Sequence, residues 1–388
     1  MRFTLSEEQA LIQASALDWL AAHYDFEQRR RGAAQPGGSP EVWQAFAELG
    51  WLGLVLPESV GGAALSALEA GLLMQAFGRH RVVEPYHACV LQAAHLLARV
   101  GNVDQQQRWL PGLVAGTQRL ALAHTETGDR LPWSARRCAA FHEPAGWRLN
   151  GRKRGVAGAP GAAAWLVSAC EAGGQRELLL LVDASVAGAT VAPYATTDGG
   201  WAADLQFDDV RLPADALLGE PGDPTTRALH TVLAEGLVWQ AWEASGAMQA
   251  LLTETAGYTA QRRQFGQALA GFQVVQHRLA EMAVHATEAQ AACELATLQG
   301  IAEPGTAAQA AAAAVNKVGR AAREVAQQAV QLHGAMGVCE ELPVAATFRQ
   351  LLAFEHRSGG PAGHALRLGR QLHASGRYAH SQTLGVAA

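Results

Sequence analysis

A turn with two adjacent arginines joins two amphipathic segments in the C-terminal half of this chain, between Glu243 and Met282. Small or apolar residues recur at helical spacing on both sides of the turn, at Ala247, Leu251, Leu252, Thr255, Tyr258, Phe272, Val275, Leu279 and Met282. The turn itself reads Arg262-Arg263-Gln264-Phe265-Gly266. An arginine offers a forked, permanently charged donor, so the stretch predicts two packed helices joined by a turn that binds an anion.

The spacing of residues after this turn is specific. Arg262-x-x-Phe265-Gly266, followed by Phe272, Gln273 and Gln276, resembles the signature of the acyl-CoA dehydrogenase family of flavoproteins. The resemblance implies FAD as cofactor, with Arg262 and Phe265 holding its ADP half across a subunit interface and Gln273 beside them. It also implies an acyl-CoA substrate and, as electron acceptor, an electron-transfer flavoprotein or another acceptor.

Composition agrees with an enzyme that acts on small molecules. The net charge of −5 and the pI near 6.3 argue against nucleic acid as the main partner. No apolar run reaches the ~18 residues that a membrane span needs. The five cysteines are scattered without a CxxC pair, which predicts neither a disulfide framework nor a metal site. The first residues, MRFTLSEEQ, do not read as a signal peptide, so the expected location is the cytoplasm.

Helix-start signals dominate residues 1–117, which are predicted to form an all-helical domain. The signals are Ser6 with Gln9, Ser39 with Pro40, and Ser66 with Glu69. Near Leu120 the apolar period changes to that of strands, and alternating segments continue through LALAHTET, WRLN, WLVSA, LLLLV and LQFDDVRLP. Residues 118–222 are therefore predicted to form a small antiparallel β domain.

Helical periodicity resumes at Asp223-Pro224, which is predicted to be a capping residue followed by a first-turn proline. Further helices are expected from about Phe272 to Leu298, from a cap at Thr306 to His333, and after Pro343. Long helices with short connections form a bundle, so residues 223–388 are predicted to be a four-helix bundle. The fold class is then α+β, mostly α, with the three-domain order that the resemblance implies.

The flavin-ring site is only partly recognisable. Ala123-His124-Thr125-Glu126 resembles the family segment in which a hydroxyl, here that of Thr125, and nearby backbone contact the flavin ring. After Lys153, the family shows an aromatic residue and a hydroxyl that pack on the flavin, whereas this chain reads RGVAGAPGA. The resemblance thus implies a ring site without its usual aromatic wall.

A second element, for diphosphate binding, resembles the family more closely than the flavin-ring segment does. Gln331-Leu332-His333-Gly334-Ala335-Met336-Gly337 resembles the family's glycine loop, with Ala335 in place of the second glycine. Glycine allows the backbone to approach a pyrophosphate closely. By resemblance, Gln331, Gly334 and Ala335 bind the cofactor of a neighbouring subunit.

The catalytic base is missing from both of its usual places. The resemblance puts a glutamate either nine residues after Arg349 or ten residues before Gly246, and these positions hold Ser358 and Gly236. A serine is no base at neutral pH without an activating neighbour. Three carboxylates lie near by sequence, namely Glu355, Glu235 and Glu243. Glu355, one helical turn before Ser358 if helix persists, is the candidate catalytic residue, although a solvated surface charge is the simpler interpretation of each.

Several phrases resemble the small-subunit type of this family, as in pimeloyl-CoA dehydrogenase small subunits and the paired subunits of steroid side-chain degradation. Such chains pair with a large subunit that carries the glutamate. The prediction is an FAD-dependent acyl-CoA dehydrogenase, forming a homo-oligomer or a hetero-oligomer with a second such subunit. Two alternatives stay open: a flavin monooxygenase or oxidase of the same fold, and a non-catalytic interface subunit.

Overall fold

The chain is described by a computed structural model that covers residues 4–129, 131–134, 136–174, 176–374 and 376. It has helices first, a β-sheet in the middle and a helical bundle last, as predicted. The domain boundaries near residues 117 and 222 stay a prediction. Within the described residues, no helix combines the length and the apolar character needed to cross a membrane.

The N-terminal part contains six α-helices and one π-helical segment. They are α1 (Glu7–His23), α2 (Phe26–Ala33), α3 (Pro40–Glu48), α4 (Ala67–His80), the π-helix (His87–Ala94), α5 (His95–Val100) and α6 (Val103–Val114). The predicted caps are confirmed: Ser6 and Ser66 form capping boxes, and Ser39 accepts from Val42 N ahead of Pro40. These side chains satisfy amide groups that the first helical turn leaves without partners.

The central sheet has seven strands: β1 (Leu120–Ala123), β2 (Ala139–Glu143), β3 (Gly146–Ala157), β4 (Ala164–Glu171), β5 (Glu177–Asp183), β6 (Ala189–Ala195) and β7 (Trp201–Leu212). Four of the strand pairings are antiparallel, as predicted, whereas β1 and β2 each run parallel to β4. Alternation of apolar residues has the same period in both arrangements, so the sequence could not separate them. β2 and β6 were not predicted.

The C-terminal bundle contains α7 (Asp223–Gln261), a short hairpin of β8 (Arg263–Gln264) and β9 (Gln267–Ala268), α8 (Gln273–Ala302), α9 (Ala307–His333), α10 (Pro343–His356) and α11 (Gly360–Ala374). Gly222, not the predicted Asp223, is the N-cap residue of α7. Thr306 is the N-cap residue of α9, as predicted, but its hydroxyl donates to Glu303 O in a turn and forms no capping hydrogen bond. The expected fourth helix is broken after His356, so helix does not persist from Glu355 to Ser358.

α4 and α7 cross in close contact, which joins the N-terminal helices to the bundle in one apolar core. A Cβ atom added to Gly78 of α4 would lie 1.8 Å from Glu243 O, and one added to Gly246 of α7 would lie 1.9 Å from Gln75 O. Only glycine permits backbones to approach this closely. The crossing holds the middle of α7, and with it Glu243, in a fixed position.

Candidate active site

A cavity of about 370 Å³, called the central cavity below, lies between the sheet and the helices. The sheet side includes Leu122, His124, Thr125, Arg154–Ala157, Trp201 and Ala202. The helical side includes Arg81, Val82, His87, Gln92, Leu233, Gln240, Glu243 and Gln350. Its size is within the usual range for a cavity that binds a small molecule.

Thr125, predicted to contact the flavin ring, follows the end of β1 and lies on the central cavity. Its carbonyl accepts a 2.8 Å hydrogen bond from Arg154 N. In the preceding residue, His124, both ring nitrogens have hydrogen-bond partners, because Nδ1 lies 2.8 Å from Ser168 Oγ and Nε2 lies against Pro132 O. Burial holds the pKa of His124 well below its usual range, so the ring is neutral and structural.

The segment that replaces the expected aromatic wall does face the cavity, through Arg154–Ala157 of β3. An aromatic ring is nevertheless present on the sheet side. Trp201 begins β7, next to Ala202, which pairs with Ala157 of β3. Its Nε1 donates to Ala33 O at 2.9 Å, which fixes the ring position. Trp201 cannot be recognised as a site residue from the sequence, because its place depends on strand pairing.

Gly236 and Ser358, the two usual base positions, lie near the same cavity. A Cβ atom on Gly236 would lie 3.0 Å from Gln92 Nε2 and 3.3 Å from His87 Nε2, both of which line the cavity. Ser358 lies in the turn after α10, next to Arg357, which lines the cavity and pairs with Asp198. The cavity is therefore lined by Arg357, the residue that precedes Ser358 in the chain.

His87 also lies on this cavity and was not foreseen as a site residue. Its Nε2 lies 2.9 Å from Gly236 O and its Nδ1 lies 3.4 Å from Gln240 Nε2, so both ring nitrogens have partners. Burial lowers the pKa of His87 to about 4. A neutral imidazole with both nitrogens engaged is a poor proton acceptor.

The structure separates the three candidate carboxylates. Glu355 is buried but does not line the central cavity; both of its oxygens accept from Arg323, with Arg323 Nε at 2.9 Å from Oε2. Glu235 lies on a separate, mostly apolar cavity of about 300 Å³, where it pairs with Arg99 at 2.8 Å and His95 at 3.2 Å. Of these three candidates, Glu243 is the one that lines the central cavity.

Glu243 has one hydrogen-bond partner among the described residues, since its Oε1 accepts from Gln350 Nε2 of α10 at 2.9 Å. Burial raises the pKa of Glu243 to about 7, and the bond from Gln350 only partly opposes that rise. The carboxyl group therefore changes charge near neutral pH, as groups at functional sites often do.

A larger cleft of about 1560 Å³ adjoins the central cavity, because Thr125 and Pro132 line both. Its wall is formed by α9, α10 and α11 and includes Lys317, Arg320, Arg323 and Arg370. Within the described residues, Arg320 and Arg370 have no ion-pair partner, whereas Lys317 pairs with Glu288 and Arg323 with Glu355. Four cationic side chains and three carboxylates, those of Asp129, Glu324 and Glu355, line this cleft, so it has a small excess of positive charge for an anionic ligand.

The predicted diphosphate-binding residues lie elsewhere, on the exposed end of the bundle. Tyr258 near the end of α7 stacks on His333 at the end of α9, with ring centroids 4.3 Å apart, which brings the two elements together. Exposed residues of these elements are Arg262, Phe265, Gln273, Gln331, Gly334 and Ala335. Phe265 is 89% exposed and has a φ of 53°, a conformation that is rare for an aromatic residue. None of the six lines the large cleft or the central cavity of the same chain.

Comparison with known proteins agrees with this fold. Residues 6–117 match the model of the acyl-CoA dehydrogenase N-terminal domain, and residues 226–373 match that of the C-terminal domain. Acyl-CoA dehydrogenase FadE27 of Mycobacterium tuberculosis is 31% identical over 339 residues, covering 86% of this chain and 88% of the relative. The chain belongs to the acyl-CoA dehydrogenase family.

Solved structures give the same result. The steroid acyl-CoA dehydrogenase variant Tcur3481-Tcur3483 has a TM-score of 0.86 and 30% identity, covering 97% of this chain and 100% of that one. The ChsE4-ChsE5 complex of Mycobacterium tuberculosis has a TM-score of 0.86 and 28% identity, covering 96% and 99%. An FAD complex of PigA shares the fold, with a TM-score of 0.86 at 22% identity. The predicted cofactor, FAD, agrees with membership of the acyl-CoA dehydrogenase family.

Proposed function

We propose that this chain is the small subunit of a hetero-oligomeric, FAD-dependent acyl-CoA dehydrogenase, which introduces an α,β double bond into an acyl-CoA thioester. A partner subunit of the same family supplies the catalytic glutamate. The relatives support pairing of this kind, since ChsE4 and ChsE5 form a complex. This chain supplies the exposed end of the bundle to the cofactor site of its partner.

The observation that carries the proposal is the state of the carboxyl groups on the central cavity. Asp198 is paired with Arg357, and Glu84 accepts from Tyr24 Oη at 2.7 Å and from Ser39 N at 3.1 Å. Glu243 is seven residues from Gly236, which is ~10.5 Å along a helix. A general base must lie within hydrogen-bond reach of the proton that it removes, so none of these groups replaces the missing glutamate.

The residues of the large cleft suit FAD. Arg320 and Arg370, which have no ion-pair partner among the described residues, are available to a diphosphate, and Thr125 lies where the cleft meets the central cavity. Bound FAD would supply the hydride acceptor for the β carbon. On the bundle end, Arg262 and Phe265 are positioned to hold the ADP half of the FAD of a neighbouring subunit.

The visible absorption spectrum of the purified chain, alone and after co-expression with a family member that carries the glutamate, tests this function. We expect flavin absorbance in the assembly, together with dehydrogenation measured with an artificial electron acceptor, and little or no turnover by the chain alone. Rapid bleaching of flavin by acyl-CoA in the lone chain would overturn the small-subunit assignment. An assembly without flavin would instead indicate a non-catalytic interface subunit.

A further inference from the structure

The helical side of the central cavity carries several polar side chains, so it favours a ligand with a matching polar group. Gly236 and Glu243 are separated by seven residues of α7, which is close to two helical turns, so both face the same side of the helix. Glu243 therefore lies ~10.5 Å from the usual base position, on the same wall of the cavity. An acyl group whose α carbon lies near Gly236 would reach Glu243 with a more distal part of its chain.

Glu243 would be costly to bury against a hydrocarbon. Its carboxyl group has Gln350 as its one hydrogen-bond partner among the described residues, and that bond uses Oε1 alone. No cation in the described part of the chain forms an ion pair with it; the nearby Arg81 is engaged by Glu254 and Thr347. A plain alkyl chain in this place would leave the second oxygen without a partner, at a cost typical of a buried polar group.

A hydroxyl group satisfies this carboxyl in either charge state. It can donate to an ionised carboxylate, and it can accept from a protonated one. A terminal carboxylate is disfavoured, because it would face Glu243 without a free cation to pair with. The Gln350 amide holds the Glu243 carboxyl in place, and the α4–α7 crossing fixes the backbone behind it.

We propose that the central cavity binds acyl groups that carry a hydroxyl group roughly eight bonds from the α carbon, and that Glu243 is the residue that recognises this hydroxyl. The inference rests on the proposed function in one respect only: it takes the acyl thioester of that reaction as a ligand of this cavity, although the base comes from the partner subunit. It names a substrate class that the family relationship does not specify.

Isothermal titration calorimetry with the full-length chain tests the inference without requiring turnover. The probes are acyl-CoA thioesters of equal length that end in a methyl, a hydroxyl or a carboxylate group, with chains of roughly nine to ten carbons. We expect the hydroxyl compound to bind about tenfold more tightly than the methyl compound, as one hydrogen bond to a charged group allows. In Glu243→Leu this preference should disappear, whereas Glu243→Gln should keep most of it.

Glu235→Gln is the matched control, because Glu235 is a carboxyl of the same helix that faces a different cavity. It should keep the full preference for the hydroxyl compound. Equal binding of the methyl and hydroxyl compounds by the wild-type chain would overturn the inference even if a variant failed to fold, as would tighter binding of the carboxylate compound. Failure of all three compounds to bind would overturn the acyl-binding role itself, and this inference with it.

Discussion

Lys153 Nζ lies 2.7 Å from Glu126 Oε1, and the two side chains are 0% and 3% exposed. The same ammonium group lies 3.2 Å from His124 O, and Glu126 also accepts from Cys138 N at 3.0 Å and from Arg137 N at 2.7 Å. Burial alone would raise the pKa of Glu126, but Lys153 lowers it below the usual value. The pair therefore holds the two neighbours of Thr125, the residue assigned to the flavin ring.

Replacing Lys153 by methionine should leave the buried Glu126 carboxylate with only the exposed Arg137, whose Nε lies 3.3 Å from Glu126 Oε2, as a counter-ion. Breaking a buried ion pair from one side costs about 3–5 kcal/mol, so urea unfolding of Lys153→Met should show a loss of that order. Adding Glu126→Gln to the variant should restore part of it. Arg154→Met is the control, because Arg154 pairs with Asp204 at a half-exposed site and should cost less than about 1 kcal/mol. Equal losses in the two single variants would contradict the structural role given to the buried pair.

Arg262→Ala should lower the FAD content of the purified assembly, because the exposed guanidinium group is assigned to the diphosphate of a neighbouring subunit. Arg262→Lys should rescue FAD content only in part, since lysine keeps the charge but loses the forked geometry. Arg263→Ala, an exposed arginine in the same turn, is the control and should keep normal FAD content. The ratio of flavin to protein absorbance measures the effect, and an unchanged ratio in Arg262→Ala would refute the assignment.

Glu355→Gln should leave dehydrogenation by the assembly nearly unchanged. Glu355 pairs with Arg323 and does not line the central cavity, so it is not placed to remove a proton there. A working base typically contributes about 10²–10⁴-fold, so its loss would be obvious in the rate of flavin bleaching by acyl-CoA. A decrease of tenfold or more in Glu355→Gln would show that this carboxylate is the base after all.

Local signals explain why much of the fold could be predicted from the sequence. The caps at Ser6, Ser39 and Ser66 depend on residues within three positions, and all three form. Asp223 and Thr306 carry the same signal, but neither side chain forms a capping hydrogen bond. Gly222 occupies the N-cap position of α7, and the Thr306 hydroxyl donates to Glu303 O instead. β6 has mostly exposed side chains and so lacks the apolar alternation by which a strand is recognised.

The candidate site was less predictable, because its members meet only through tertiary packing. The sequence does not distinguish the three candidate carboxylates, Glu243, Glu235 and Glu355. The packing of α7 and α10 places each of them on a different cavity. Trp201 reaches the central cavity through the pairing of β7 with β3. The exposed motif residues, by contrast, follow one another along the chain, so their spacing made Arg262 and Phe265 recognisable.

The raised pKa of Glu243 predicts a pH-dependent stability. The folded chain keeps a proton on Glu243 up to about pH 7, whereas the group has a usual pKa of 4.5. Between these values the folded state binds more protons than the unfolded state, so raising the pH destabilises the fold by about 3 kcal/mol in total, and the change levels off at about pH 8. Glu243→Gln removes this effect.

Urea unfolding of the wild type and of Glu243→Gln at pH 5 and pH 8 checks the sign. The variant should gain stability relative to the wild type as the pH rises. Both proteins retain His87 and Arg81 on the same cavity, so the difference between them isolates Glu243. A difference that is constant with pH, or that reverses, would contradict the raised pKa.

The α4–α7 crossing gives the last prediction. In Gly246→Ala the new methyl group would lie 1.9 Å from Gln75 O, so the helices must separate, at a cost of about 1–3 kcal/mol. Gly257→Ala is the matched control in the same helix, because Gly257 is exposed and a Cβ atom there would meet nothing within 4 Å. It should stabilise the chain by about 1 kcal/mol or slightly less, since alanine is the better helix former. Thermal or urea unfolding should therefore show opposite signs for one chemical change in one helix.

Because Glu243 lies one turn before Gly246, Gly246→Ala should also weaken the binding of hydroxylated acyl thioesters, whereas Gly257→Ala should leave it unchanged. Similar stabilisation in both variants would show that the helices do not cross as closely as described.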